Sequence, residues 1–246
     1  MDLNFTEINK MNLMEASPFN PYVEITSTTS KVSYIKNIKS AYEKTLLDEH
    51  KLPDNILTMN GMSGKKYRKF INNLIQEVKN PRYLEIGSWK GSTSCSALYG
   101  NNTKAVCIDN WSQFGNVSYE FKENIRKVIL DENLTIVEND FREVDYSSIG
   151  KYNVYFFDGP HEENDQYDGL SLVLPALDDV FIFIVDDWND IRPRNGTKKA
   201  ISDLGIKVLY SVEIRTSNGV DVVYPAPYVL ENSDWHNGYY IAVCKK

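Results

Sequence analysis

The run Tyr83-Leu-Glu-Ile-Gly-Ser-Trp-Lys-Gly-Ser-Thr93 constrains this chain more than any other stretch. A short apolar strand meets a carboxylate, Glu85, then a glycine turn at Gly87, then Gly91 followed by small hydroxyl residues. Strand, tight turn and helix start are how a doubly wound α/β sheet builds a nucleotide pocket on its first strand. Glycine lets backbone approach a ligand where a Cβ would collide, and a helix starting after Gly91 offers free N–H groups. The spacing separates cofactors. A dinucleotide site uses G-x-G-x-x-G. Here the pattern is E-x-G-x-x-x-G, and position 92, where a third glycine would fall, is serine.

Four further apolar runs each end in acid. Lys104–Trp111 ends at Asp109, where an ionised carboxylate has acceptor sites for both hydroxyls of a ribose. Leu134–Phe141 ends at Asp140, which otherwise reads as a cap or turn residue. Tyr152–His161 ends in Asp158-Gly-Pro-His161, and Val180–Trp188 contains Asp186-Asp187. The last two runs are continuously apolar, as interior strands covered on both faces require. Ligands of open α/β sheets bind outside the carboxyl ends of the strands, so Asp158, Asp186 and Asp187 are expected on one rim. Bare, such a cluster repels itself. A divalent cation resolves the conflict, Mg²⁺ foremost, with Ca²⁺ or Mn²⁺ also suited to carboxylate oxygens. Asp187 as a loop cap is the plainer alternative.

These residues resemble the class I S-adenosylmethionine-dependent methyltransferases, whose first motif has the E-x-G-x-x-x-G form. Asp158 on a fourth strand with Asp186-Asp187 on a fifth is similar to metal-dependent O-methyltransferases. The best match is the macrocin O-methyltransferase group and the wider methyltransferase 24 (cephalosporin hydroxylase-like) set; catechol O-methyltransferase is more distant in site design. The resemblance covers residues 56–245 or so. It implies an α/β, Rossmann-like doubly wound sheet, mostly parallel with an antiparallel last strand, plus an N-terminal helical extension. It implies S-adenosylmethionine as cofactor, held by Glu85, Gly87, Ser88, Gly91 and Ser92, by Asp109 and Asn110 at the ribose, by Asp140 and Phe141 at the adenine, and by Asp158. In relatives a segment matching Met59–Gly64 lies over the cofactor, which places Gly61, Met62 and Ser63 at its methionine end. Those glycines read equally as turn chemistry.

Asp158, Asp186 and Asp187 are then the metal ligands, and His161 is the expected base, with Asp158 the other candidate. A neutral imidazole accepts a proton near physiological pH; a solvated loop histidine or a helix cap is the alternative. In catechol O-methyltransferase-like sites a lysine holds the position three after the metal aspartate. Many relatives have Asp-Gly-Asp-His where this chain has Asp158-Gly-Pro-His161, which puts any role of the third-position acid in doubt.

At 246 residues the chain can bury one sizeable core, and a formal charge of −7 disfavours a nucleic-acid partner. Its densest basic stretch, Lys65–Lys69, lies on an amphipathic helix whose core face is Tyr67, Phe70, Ile71, Leu74, Ile75 and Val78, so its charges read as a solvated face. Three cysteines, Cys95, Cys107 and Cys244, fit buried thiols in a reducing cytoplasm. Neither a secretion signal nor a membrane-length apolar run is visible, so a cytoplasmic location is expected, with no membrane partner and a homodimer left open.

Residues 1–60 read as an N-terminal arm and helix covering the site, extended to about residue 30 and helical over 31–49; residues 61–246 read as the S-adenosylmethionine-dependent methyltransferase domain. Helices are expected over 91–99, 118–130, 164–176 and 195–203, and a final strand pair over 206–214 and 238–245 with no helical period between. Acceptor contacts are expected from the loop Trp188–Asn195 and from 215–237, which holds Tyr224, Pro225, Pro227, Tyr228, Trp235 and His236. The fourth strand lacks the Asn/Asp-Pro-Pro-Tyr/Phe signature of amino-methylating enzymes, which favours an oxygen acceptor. The expected function is metal-assisted O-methylation of a hydroxylated small molecule, a saccharide or glycosylated metabolite among the options. An NAD(P)-dependent oxidoreductase and a non-catalytic adenosine-cofactor-binding module are the competing readings.

Overall fold

The computed structural model describes residues 21–129, 131–217 and 220–246. The expected arm lies outside these residues up to position 20. Along the chain come β1 (Tyr22–Ser27), α1 (Ser33–Leu46), α2 (Asp54–Leu57), α3 (Lys65–Glu77), β2 (Arg82–Ile86), α4 (Ser92–Leu98), β3 (Lys104–Ile108) and α5 (Ser118–Ile125). Then follow β4 (Leu134–Val137), β5 (Tyr152–Phe157), α6 (Glu163–Ser171), β6 (Leu177–Val185), α7 (Ile191–Asp203), β7 (Lys207–Arg215), α8 (Ala226–Asn232) and β8 (Tyr239–Lys245). The described strands form one sheet in the order β1-β7-β8-β6-β5-β2-β3-β4. Pairing is parallel from β6 through β5, β2 and β3 to β4, while β8 runs antiparallel to both β6 and β7.

The sheet is covered on both faces because its central strands carry apolar residues on both sides of the pleat, with polar residues such as Arg82, Asn153, Asp178 and Asp179 gathered towards their starts. In β5, Val154 and Phe156 enter one core while Tyr155 and Phe157 enter the other, the period-two alternation of a pleated strand. One core includes Phe70, Ile71 and Leu74 of α3; the other includes Leu170 of α6 and Ala200 of α7. β2 pairs with β3 on one side and β5 on the other, so the strand order reverses at the tips of β2 and β5. That reversal opens the crevice in which open α/β sheets hold ligands.

The expected antiparallel last strand is present as β8. Three local expectations need correction. Tyr22–Ser27 is not a loose arm: it is an edge strand, paired in register with β7 from Tyr22↔Arg215 to Ser27↔Tyr210. The stretch before β8 does contain a helix, α8, which is too short for an apolar period to show and begins after Pro225. Several ends also shift. α5 stops at Ile125, α6 stops at Ser171 ahead of a short 3₁₀ turn at 174–176, and β6 begins at Leu177. α7 starts four residues earlier than expected because Asp190 caps it, its carboxylate accepting from Arg192 N at 2.9 Å. No helix among the described residues is long and apolar enough to cross a membrane.

Candidate active site

The tips of β2, β3, β5 and β6 open onto a cavity of about 510 Å³, within the ~300–1,000 Å³ range of small-molecule sites. Of the residues expected from sequence, Met62, Gly87, Asp109, Asn110, Asp140, Phe141, Asp158, His161, Asp186 and Asp187 line it. Gly61, Ser63, Glu85, Ser88, Gly91 and Ser92 do not; they form the layer beneath, in the first-motif turn and the loop packed on it.

The wall at the tips of β2, β3 and β4 is built from backbone as much as from side chains. Asp109 accepts from Trp89 N at 2.8 Å and Trp111 N at 2.7 Å, one bond to each oxygen, which fixes the carboxylate at the tip of β3. Both donors belong to tryptophans with positive φ, 41° and 48°, backbone held by the structure around it. Asp140 faces the cavity and also caps a 3₁₀ turn through Arg142 N at 2.9 Å, so the two alternatives for this residue coexist. Phe141 lies edge-on to Phe157 with centroids 5.5 Å apart.

Glu85 differs from its expected role. Its side chain is fully buried and accepts from the hydroxyls of Tyr83 and Ser94, both at 2.5 Å. It therefore ties β2 to α4 rather than facing a ligand. Burial pushes its pKa up from 4.5 to about 7, against the lowering effect of these hydrogen bonds. The folded state thus favours the protonated acid, and stability is lost as pH rises from the unfolded value towards the folded one. Glu85→Gln is expected to gain on the wild type between pH 5 and pH 8 by up to ~3 kcal/mol. Urea denaturation at the two pH values measures this; a difference that does not change with pH would show that the carboxyl carries no burial penalty.

On the opposite wall the acids gather as expected, with one addition. Donor atoms of Asp186, Asp187 and His236 all lie within 4.8 Å of one another, and all three residues are buried. Asp158 lines the same wall but stands outside that three-residue set, and His236, expected only as an acceptor contact, takes its place. Oδ1 of Asp186, Oδ1 of Asp187 and both ring nitrogens of His236 have no hydrogen-bond partner. Burial, with mutual repulsion, drives the Asp158 and Asp186 carboxyls well above the usual carboxylate range, and burial pulls the His236 imidazole below its ordinary value. Buried, unpartnered oxygen and imidazole donors fit a divalent cation. Asp187 and His236 both have positive φ, 52° and 46°.

Topology explains why His236 is there. Because β8 is antiparallel to β6, the chain entering β8 lies beside the chain leaving β6. Trp188 N donates to Gly238 O at 3.2 Å and Asn189 N to Asn237 O at 2.8 Å, lacing the two segments together. Thr216 and Ser233 hydroxyls donate to the His236 carbonyl at 2.8 and 2.9 Å. His161 spans the rim, with Nδ1 3.4 Å from Asp187 Oδ2 and Nε2 3.9 Å from Asp158 Oδ1. Tyr224 and Pro225 line the mouth as expected. Trp235 does not: it is 2% exposed and stacks on Tyr42 in the core.

Residues 84–188 match the methyltransferase 24 family model, described as a methyltransferase domain. Over that stretch, which carries Gly87, Asp109, Asp140, Asp158, Asp186 and Asp187, the chain is similar to the methyltransferase 24 family. In fold the chain is similar to the O-methyltransferase of Bacillus cereus in complex with S-adenosylhomocysteine, at TM-score 0.52 and 13% identity over 88% of this chain and 93% of that one. It is similar also to the S-adenosylhomocysteine-bound methyltransferase PaMTH1 of Podospora anserina, at TM-score 0.50 and 15% identity, covering 90% and 91% of the two chains. TrmN from Thermus thermophilus matches at TM-score 0.50 and 12% identity over 78% of this chain, which spans 51% of that protein. No curated protein matches by sequence.

Proposed function

We propose that this chain moves a methyl group from S-adenosylmethionine to a hydroxyl of a small molecule, assisted by a divalent cation. The observation that carries the reading is the buried set Asp186, Asp187 and His236, which carries unpartnered oxygens and nitrogens and lines the same cavity as Gly87 and Asp109. The fixed Asp109 carboxylate supports a ribose site, and Phe141 beside Asp140 supports an adenine site. When bound, S-adenosylmethionine supplies an electrophilic methyl group, and a divalent cation lowers the pKa of a hydroxyl it contacts.

Asp186, Asp187 and His236 would hold the cation; Asp158 adds a carboxylate to the same wall. His161 is placed to take the hydroxyl proton, and Asp187, at 3.4 Å from Nδ1, orients the ring and stabilises the imidazolium that results. The acceptor mouth supports an uncharged ring. The same cavity is lined by Trp89 and Phe114, which meet edge-on at 6.4 Å, and by Tyr224 and Pro225, surfaces suited to planar or saccharide rings.

His161→Ala is expected to lower kcat roughly 10²–10⁴-fold with little effect on S-adenosylhomocysteine affinity. Steady-state turnover against a panel of hydroxylated compounds, beside calorimetry with S-adenosylhomocysteine, checks this. A loss of only a few-fold would return the base to Asp158. Tight nicotinamide-dinucleotide binding without S-adenosylhomocysteine binding would overturn the function itself.

A further inference from the structure

The basic run Lys65–Lys69 reads in sequence as a solvated face, but Arg68 is 3% exposed. Its guanidinium is spent on one loop. Nε donates to Ser63 Oγ at 2.9 Å, Nη1 to the carbonyls of Leu57 and Met59 at 3.0 and 2.7 Å, and Nη2 to that of Gly61 at 3.2 Å. Among the described residues no carboxylate pairs with it. A buried cation ordinarily needs a counter-charge; here four acceptors of a single loop stand in for one. The planar fork of arginine holds acceptors at set angles, so it dictates the shape of the loop.

The loop is wedged between both halves of the site. Ser63 Oγ lies 3.1 Å from Ser92 Oγ, and a Cβ on Gly61 would stand 2.0 Å from that same oxygen. Its backbone therefore presses on the first turn of α4, just past the Gly87–Gly91 turn. At the far end, Lys66 N and Tyr67 N donate to Asp234 O at 3.0 and 3.3 Å, two residues before His236. Between these anchors Met62 faces the cavity.

We infer that Arg68 is a positioning residue for the cofactor: it moulds residues 57–63 into the wall against which the methionine end of S-adenosylmethionine rests. This rests on the function proposed above. Arg68 makes no hydrogen bond to the cation donors, and a lysine keeps the charge that His236 feels, so the exchange is expected to act on cofactor affinity and not on the chemical step. Lysine would keep the charge but not the fork.

The test is Arg68→Lys in the full chain, with two readouts. Without ligand, hydrogen exchange at amides 57–63 should accelerate while β2 and β5 keep their protection. S-adenosylhomocysteine affinity by calorimetry should fall about tenfold if the loop holds its binding shape a tenth of the time. KM for S-adenosylmethionine should rise by the same factor, with kcat at saturation retained. Ser63→Ala, which removes one of the four bonds and the link to Ser92, should move both readouts the same way by less, and it serves should the lysine variant not fold. Loop exchange and affinity both within about twofold of wild type would overturn the inference. So would a fall in affinity with loop exchange unchanged. A wild-type protein that takes no S-adenosylhomocysteine would sink the functional reading, and the cofactor role of Arg68 with it.

Discussion

Asp186→Ala is expected to leave a folded protein that binds S-adenosylhomocysteine yet turns over about 10⁴-fold more slowly, or not at all. The size follows from the several kcal/mol a Lewis acid supplies to a reacting oxygen. Folding should survive because Asp186 Oδ1 has no partner, and burial together with repulsion from Asp158 and Asp187 disfavours the carboxylate in the folded chain. Its removal should even raise stability when a chelator is present. The wild type, by contrast, should gain about 2.7 kcal/mol from a cation at a hundred times its dissociation constant, and the variant should gain none. Thermal unfolding with Mg²⁺, Mn²⁺ or chelator, read beside turnover, checks both halves. Full wild-type activity in excess chelator would remove the cation from the reaction.

Gly87→Val should fail earlier, at the fold. Gly87 has φ +86°, and a Cβ there would stand 1.8 Å from the Asp158 carbonyl oxygen and 2.5 Å from its carbon. Both obstacles are backbone at the tip of the neighbouring strand β5, so no change of rotamer relieves them. β-branching adds to the strain at positive φ. We expect a loss of about 4 kcal/mol or more, which for a domain of this size lowers Tm by roughly 8–16 °C. S-adenosylhomocysteine binding should disappear in whatever folds, since the tips of β2 and β5 are forced apart. Gly87→Ala tests the cause: it adds the colliding atom without branching and should still be clearly destabilised. An alanine variant with wild-type Tm and affinity would disprove the close approach.

The sequence made the central strands and their terminal acids legible because a strand covered on both faces is mostly apolar, and a carboxylate inside it needs buried partners of its own, as Glu85 has, whereas one at the tip does not. Asp109, Asp158, Asp186 and Asp187 were found in this way. His236 was not, since its place depends on which strand β8 pairs with and in which direction, and no local pattern records that. An antiparallel final strand does carry a usable signal: residues just ahead of it return to the functional rim. Glu85 looked like a ligand residue because it shares the motif with Gly87, but it lies within β2 and not beyond its end, and the hydroxyls of Tyr83 and Ser94 take up its carboxylate. Arg68 was hidden for the converse reason. A charge among lysines reads as solvated until a loop supplies enough carbonyls to surround it. β1 was missed because an edge strand of mixed polarity resembles an extended linker.

The position of β8 has a consequence for how the molecule comes into being. It follows β7 in the chain yet lies between β7 and β6, so neither β7 nor β1 has a place to dock until residues 239–245 have left the ribosome. During synthesis the parallel half of the sheet can form first, presenting a bare β6 edge that awaits its neighbour. The imidazole of His236 arrives with that insertion, so the proposed cation site becomes complete only as the sheet closes.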